Sequence, residues 1–415
     1  MSTTAAPTPP PTEPDPTAAA AQKESLPTSG RDLFNRMRTG DLGSLRVLVL
    51  LAIVWAIFQS QESRFLSSTN IVNLSLQITA VALISVGVVL VLLLGEIDLS
   101  VGAVSGVCSA IVAVLSVKHG WAPVPAIIAG VGVGAAIGLF QGFVSTRFGI
   151  PTFVVTLAGL LGWQGLQLKV LGETGTVNLL PGLLTDLAGK FLADATGWIV
   201  AIVAIVVYGL GNLRSRQRRV SAGLNAPSML LVGIRIGAVA LAGLLFVYVA
   251  NKDRGVPVAV LILLGFVAGF DFWTRRTRFG RHIYATGGNM EAARRAGINV
   301  FRVRVIVFSL ASSMAAVGGI MAASRLLAVN QSSGGSDLLL NSIAGPVIAG
   351  TSLFGGRGNV WSALLGALVI GSISNGMDLL AYTSATKFMV TGAVLLGAVV
   401  LDSAARMGRA ASGRV

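Results

Sequence analysis

The sequence predicts an all-α protein, a polytopic transmembrane helical bundle of about twelve spans with its N- and C-termini on the cytoplasmic side. Three observations predict it. Of 415 residues, 53% are hydrophobic and 12% charged, whereas a soluble domain has about a quarter of its residues charged. The apolar residues gather into runs close to the ~20 that a helix needs to cross hydrocarbon, where peptide groups cannot be left without partners. The basic residues fall between those runs and favour alternate connections, as Lys and Arg do on the cytoplasmic side of a membrane.

Residues 1–40, rich in Pro, Thr and Ala, are too poor in large apolar side chains to bury a core and read as a disordered cytoplasmic tail. No basic start followed by a continuous apolar stretch occurs before Leu45, so the first span is expected to direct insertion. A membrane domain over 41–405 then carries spans near 45–60, 70–94, 99–117, 121–145, 150–171, 197–212, 229–250, 255–273, 303–324, 338–354, 360–380 and 387–402, and 406–415 form a short cytoplasmic tail. With the N-terminus inside, the inside segments hold 22 of the 31 Lys and Arg and the outside loops 8. A missed or false span would place "RSRQRR" (Arg214 to Arg219) and "RRTRFGR" (Arg275 to Arg281) on opposite faces. Gly130, Gly134, Gly138 and Gly142 recur every four residues on one helix face. That face is either a tight packing surface or a sliding one.

Several chemistries are excluded. A net charge of +14 and a pI of 11.1 do not signal nucleic-acid binding, because the basic residues punctuate hydrophobic segments instead of sharing a soluble face. Cys108 is the single cysteine, so there is no intrachain disulfide and no Cys-rich metal site. His119 and His282 have no carboxylate cluster beside them, which leaves a zinc or catalytic histidine centre without ligands. No Gly-x-x-x-x-Gly-Lys-Ser/Thr run occurs, so the chain lacks the loop that cradles ATP phosphates and is not expected to be an enzyme.

"GEIDLS" interrupts an apolar stretch of more than thirty residues with two carboxylates, Glu96 and Asp98. On the predicted topology it is a tight turn at the cytoplasmic edge: Gly95 permits the reversal, and Asp98 or Ser100 caps the helix that follows. The other reading is an ion- or proton-coupling carboxylate, the default for an acid at bilayer depth. The basic loop 274–302 is the second focus. Eight arginines lie between Arg275 and Arg304, and "GGNMEAARRAGI" carries helix signals: Asn289 as N-cap, Glu291 in the first turn and Gly297 just past the end. A helix this short needs a partner. Ala292, Ala293 and Ala296 form a small face able to enter a groove, and Arg294 and Arg295 can meet acidic groups on another protein. The alternative is a solvated, positively charged topology anchor.

"GEIDLSVGAVSGV" is similar to the Gly-Gly-Ile-Asp-Leu-Ser-Val-Gly signature of bacterial ABC sugar permeases of the ribose/xylose class, with Glu96 in place of the second Gly and Gly102 closing the motif. "STRFGIPTFVVTLAGLLGWQG", "RTRFGRHIYATGGNMEAARRAGINV" and "AGTSLFGGRGNVWSALLGALVIGSISNGMDLL" resemble the same family, in its order. The segment from about 211 to 250 looks most like the xylose-type permeases, adding an extra pair of helices to a family core of about ten. Leu339, Leu340 and Asn341 stand where the family carries Glu-Leu-Asp.

The resemblance implies an importer subunit of the bacterial cytoplasmic membrane, working as a homodimer by alternating access. It implies a separate ABC ATPase that binds ATP and Mg, an extracytoplasmic sugar-binding protein, and a monosaccharide substrate, xylose first and ribose or another sugar next. In the family, the 274–302 loop resembles the coupling helix that docks on the ATPase. Residues 172–197 form either the landing surface for the binding protein or a packed cap. Hydroxyl-rich sugars call for side chains that donate and accept hydrogen bonds. Gln77, Trp163, Gln164, Gln167, Asn341 and Asn375 are the candidates, each of which can instead bond between helices. A different class of function, a stand-alone secondary transporter, would couple sugar to H⁺ or Na⁺ through Glu96 or Asp98. A branched-chain amino-acid permease is disfavoured by "GEIDLS".

Overall fold

The computed structural model describes residues 44–411. It is 77% helix and 2% strand. Among the described residues eight helices are long and apolar enough to cross a membrane. In chain order the helices are α1 (Ser44–Gln61), α2 (Ser68–Leu93), α3 (Val101–Val117), α4 (Pro123–Phe148), α5 (Thr152–Leu171), α6 (Leu183–Gly189), α7 (Asp194–Ser221), α8 (Met229–Asn251), α9 (Val258–Arg276), α10 (Arg278–Gly288), α11 (Met290–Arg295), α12 (Val300–Leu326), α13 (Ser336–Ile348), α14 (Trp361–Leu379) and α15 (Ser384–Ala411). Each of the twelve apolar segments read from sequence falls on one of them. Four of those twelve helices, α1, α3, α13 and α15, are not among the eight, and of these α3 and α13, at 17 and 13 residues, are short for a full crossing.

The described chain divides into two compact units. One is residues 200–244, the later part of α7 and the earlier part of α8. There Ile236 lies over Gly209 and Ile205 over Gly243, as in an antiparallel helix pair. The Nε of Arg216 donates to the Pro227 carbonyl at 3.1 Å and folds the connection back.

The other unit, residues 44–199 and 245–411, is built around α12. Helices approach one another in lipid where small residues let backbones touch. Here α12 meets three partners in that way. An added Cβ on Gly134 would lie 2.8 Å from the Ser312 carbonyl oxygen, one on Gly138 would strike the Phe308 carbonyl, and one on Gly142 would lie 2.9 Å from Val305 Cα. Gly87 of α2 is held against Ala311, and Gly319 of α12 against Ser105 of α3. The four-residue glycine stripe of α4 is therefore a packing face, with Gly130 turned to Val112 on α3. α2 is buried over almost its whole length, which is why its sequence is apolar all round instead of striped.

Two features differ from the sequence reading. Residues 172–197 hold a strand, β1 (Thr176–Asn178), paired antiparallel with β2 (Ala328–Asn330) in the register Thr176↔Asn330, Val177↔Val329, Asn178↔Ala328. The short helix α6 follows it. The Ser324 hydroxyl accepts the Ala188 N–H at 2.9 Å and donates to the Thr185 carbonyl at 3.1 Å, so α6 is packed onto the end of α12. The second difference is α10, a helix inside the segment read as a loop with one short helix. Thr277 caps it by accepting the Gly280 N–H at 3.1 Å, and Ile283 and Thr286 are buried on one face. Its Gly pair and basic residues hid that face from a composition-based reading.

Glycines on one helix give a controlled test of the packing. Gly138→Ala drives a methyl into α12 backbone and should destabilise by about 1–3 kcal/mol or more, whereas Gly132→Ala meets open space and should leave stability unchanged. Thermal unfolding of the two purified variants, followed by size-exclusion chromatography, reads the difference.

Candidate functional site

A cavity of about 550 Å³ opens among α2, α12, α13 and the 332–335 loop. Its walls mix hydroxyls and amides with apolar surface: Gln77, Ser109, Ser332, Ser333, Ser336 and Asn341 line it, with Arg325 and Asp337 the charged groups. The loop is held from behind. Gln167 is buried, and its Nε2 donates to the carbonyls of Asn330 and Ser333 at 2.9 Å each. Asn375 lies beside the cavity: it accepts from Asn70 Nδ2 at 2.8 Å and reaches Gln77 at 3.5 Å. Of the six pathway candidates the structure therefore brings Gln77 and Asn341 to the cavity wall and leaves Gln167 and Asn375 as supports. Trp163 and Gln164 are not among the lining residues. The Trp163 ring packs edge-on to Phe140 at 6.5 Å, and Gln164 is exposed on α5. Arg325, Asp337 and the serines of the 332–336 stretch were missed, because they fall between the apolar runs that hydropathy marks, at the ends of α12 and α13 and in the loop that joins them.

The "GEIDLS" segment is not the tight turn that the sequence suggested. Gly95 does reverse the chain, at φ +78°, but α3 begins only at Val101. The stretch between runs back along the bundle. Its partners show this: Leu99 N–H donates to Thr156 Oγ1 at 3.1 Å, Gln141 Nε2 donates to Ser100 Oγ at 3.0 Å, and an added Cβ on Gly102 would lie 2.7 Å from the Gly334 carbonyl oxygen. Gln141 precedes the end of α4 at Phe148 by seven residues, about 10 Å of helix. Non-helical backbone at such depth is tolerated only when enclosed in protein.

Asp98 serves that need. One oxygen accepts both the Ser100 N–H at 2.8 Å and the Ser100 hydroxyl at 2.7 Å. Ser100, the N-cap residue of α3, makes no side-chain capping bond of its own. Glu96, which replaces a glycine of the motif, is ion-paired with Arg304 of α12; the two side chains are 8% and 15% exposed. Arg304 also donates to Ser145 Oγ at 3.2 Å, and Ser145 donates to the Ile150 carbonyl at 2.9 Å. The pair closes the lower ends of α4 and α12 around the motif. Sequence alone gave no sign of it.

At the same end of the bundle lies the predicted short helix, α11. Asn289 caps it by accepting the Ala292 N–H at 2.9 Å, and Gly297 follows at φ +81°. Glu291 is within 3.3 Å of Arg294 and 3.5 Å of Arg295, and all three are exposed, as are Ala292 and Ala296. Ala293 differs from expectation: it is buried against its own chain, so the small face open to a partner is that of Ala292 and Ala296. The helix before it is wedged between two chain reversals. Gly287 of α10 lies on the Leu93 carbonyl at the end of α2, the Gly356 N–H donates to that same carbonyl at 2.9 Å, and an added Cβ on Gly355 would lie 2.6 Å from the Gly287 carbonyl oxygen. Tyr284 donates to the Gly358 carbonyl at 3.0 Å.

Residues 70–399 match the family described as branched-chain amino acid transport system / permease component. The chain belongs to that family. Its curated relatives include the xylose transport system permease protein XylH of Escherichia coli, 36% identical over 92% of this chain and 97% of the relative, and XylH of Haemophilus influenzae, 34% identical over 89% and 98%. The ribose import permease protein RbsC of Escherichia coli is 30% identical over 90% and 97%. No solved structure matches. The family member is thus a multi-pass membrane permease, and its relatives are the ribose- and xylose-type sugar permeases that its ordered motifs resemble.

In this permease the ion pair has a measurable consequence. Glu96→Gly restores the commoner motif residue but strands the Arg304 guanidinium, and breaking a buried pair costs about 3–5 kcal/mol. Glu96→Gly/Arg304→Met removes both charges and should recover most of that loss. Unfolding temperatures of the single and double variants in detergent decide the matter: a single variant as stable as the parent would mean the pair contributes nothing.

Proposed function

We propose that the chain is the membrane subunit of an ATP-driven importer that carries a monosaccharide, xylose in the first place and ribose in the second. The observation that carries this reading is the similarity along nearly the whole chain to xylose and ribose permeases, and the cavity is chemically apt for it. Hydroxyl and amide groups can exchange for the water around a sugar's hydroxyls, and the apolar remainder suits a sugar's C–H faces. With twelve spans and both termini inside, the cavity opens on the extracytoplasmic half, near the strand pair that faces a soluble sugar-binding protein. α11 then lies in the cytoplasm. Two copies of the chain would pair with two ATPase subunits, which supply ATP and Mg binding.

Coupling follows from the junction of backbones. A push on the exposed face of α11 passes through α10 to Gly287, and from there to the end of α2 and the turn before α14. α2 lines the cavity through Gln77. Closing the ATPase dimer would thus shift the wall that touches the sugar, which is alternating access in outline. The secondary-transporter reading fares worse. Glu96 pairs with Arg304, one oxygen of Asp98 is taken by Ser100, and neither residue lines the cavity.

Three measurements test the proposal in vesicles holding the permease, its ATPase and a binding protein. Gln77→Leu and Asn341→Leu should lower sugar uptake several-fold at unchanged insertion, each removing a hydrogen bond of about 0.5–1.5 kcal/mol, while Gln164→Leu should not. Xylose should compete for labelled uptake better than ribose or galactose. Arg294→Glu/Arg295→Glu and Ala296→Trp should insert normally but fail to co-purify with the ATPase, with uptake lost. Equal co-purification by both would reduce α11 to a charged anchor. Ala293→Trp, at a buried position, should instead lower the yield of folded protein.

A further inference from the structure

A second cavity, of about 650 Å³, lies on α9 and differs in every respect from the first. Its lining runs from Ile262 to Trp273 along α9, with Leu310 of α12 on the other side, and is almost wholly apolar. Gly265 and Gly269 form its floor: nothing lies within 4 Å of where their Cβ atoms would stand, so no protein group of this unit fills the space above them. Aromatic rings form its wall. Phe266 stacks on Phe270 at 6.5 Å, Phe270 meets Trp273 edge-on at 6.1 Å, and Trp273 meets Phe279 at 5.1 Å.

From Ile262 to Trp273 is eleven residues of helix, about 16 Å at 1.5 Å per residue. That is about half of the ~30 Å hydrocarbon thickness, the length of one leaflet. The groove ends in charge. Arg276 continues its face one turn beyond Trp273, and Arg278 and Arg281 follow on α10. All three are exposed and form no ion pair among the described residues, whereas the nearby Arg275 is held by Asp271 at 2.7 Å. No acidic residue occurs between Asp271 and Glu291.

We infer that this groove is a binding site for an anionic phospholipid, an acyl chain lying along Gly265 and Gly269 and the phosphate meeting Arg276, Arg278 and Arg281. The match is one of length and charge together: an apolar channel one leaflet deep, a tryptophan at the depth where interfacial aromatics sit, and unpaired guanidinium groups at headgroup level, which attract anionic lipid. A transmembrane helix of another protein would find the apolar wall but leave the three cations unmatched. The inference rests on the chain's place in the membrane and not on the proposed importer role, so it stands or falls separately. Since α10 leads to the Gly287 junction, the bound headgroup would also steady the segment that carries α11.

The test is native mass spectrometry of the full-length chain purified with phosphatidylglycerol or phosphatidylcholine. The parent should retain phosphatidylglycerol in preference by about tenfold. Arg276→Gln/Arg278→Gln/Arg281→Gln should lose the preference, and Gly265→Leu/Gly269→Leu, which fills open space, should lose retention of both lipids at an unchanged unfolding temperature. Equal retention of the two lipids by the parent would overturn the inference, as would undiminished retention after the groove is filled. Conversion of a lipid-free dimer to a monomer by the leucines would give the groove to a second copy of the chain instead.

Discussion

The close backbone contact of α12 with its neighbours governs everything else in the larger unit. Hydrocarbon gives two apolar helices little reason to associate, so association depends on how near the backbones can come. Glycines of α2 and α4, with Gly319 of α12 itself, bring α12 within touching distance of three helices at once. The helix so held carries Arg304 near its first turn and Arg325 in its last. The first fixes the "GEIDLS" segment, and the second lines the polar cavity. The two motif-bearing ends of the bundle are therefore aligned by one rod, and its orientation is set by hydrogen atoms where side chains would otherwise stand.

The site's chemistry is correspondingly modest. Both buried carboxylates hold structure in place: one oxygen of Asp98 accepts the Ser100 N–H within a non-helical stretch of backbone, and Glu96 neutralises an arginine. Only Arg325 and Asp337 bring formal charge to the cavity wall, one of each sign, among amides and hydroxyls.

What the sequence disclosed follows from where the relevant signal resides. Helices that must cross lipid announce themselves by length and hydropathy, and all twelve apolar segments are helical. The Asn289 cap and Gly297 stop are local and were equally plain. The Glu96–Arg304 pair joins residues far apart in sequence, and β1 and β2 pair across a similar gap, so neither leaves a local trace. The depth of Asp98 was misjudged because a glycine next to two acids has the composition of a surface turn. Burial of Ala293 was invisible for a related reason: three alanines look alike until their neighbours are known. Among the pathway candidates, residue type picked out Gln77 and Asn341 but also Gln164, since polarity within a span does not say which way a side chain faces.

The meeting of Gly95, Gly287, Gly355 and Gly356 has a mechanical meaning. Side chains at most interfaces can change rotamer, and a displacement of a few tenths of an ångström is absorbed there as it would be in a soft washer. Here peptide rests on peptide, with the Leu93 carbonyl shared between Gly287 and the Gly356 N–H. No side chain stands at that point to absorb a shift by changing rotamer, so a movement of α10 would bear directly on α2 and on the turn before α14. The same stiffness fixes the tolerance of the joint: a single methyl group is wider than the play it allows.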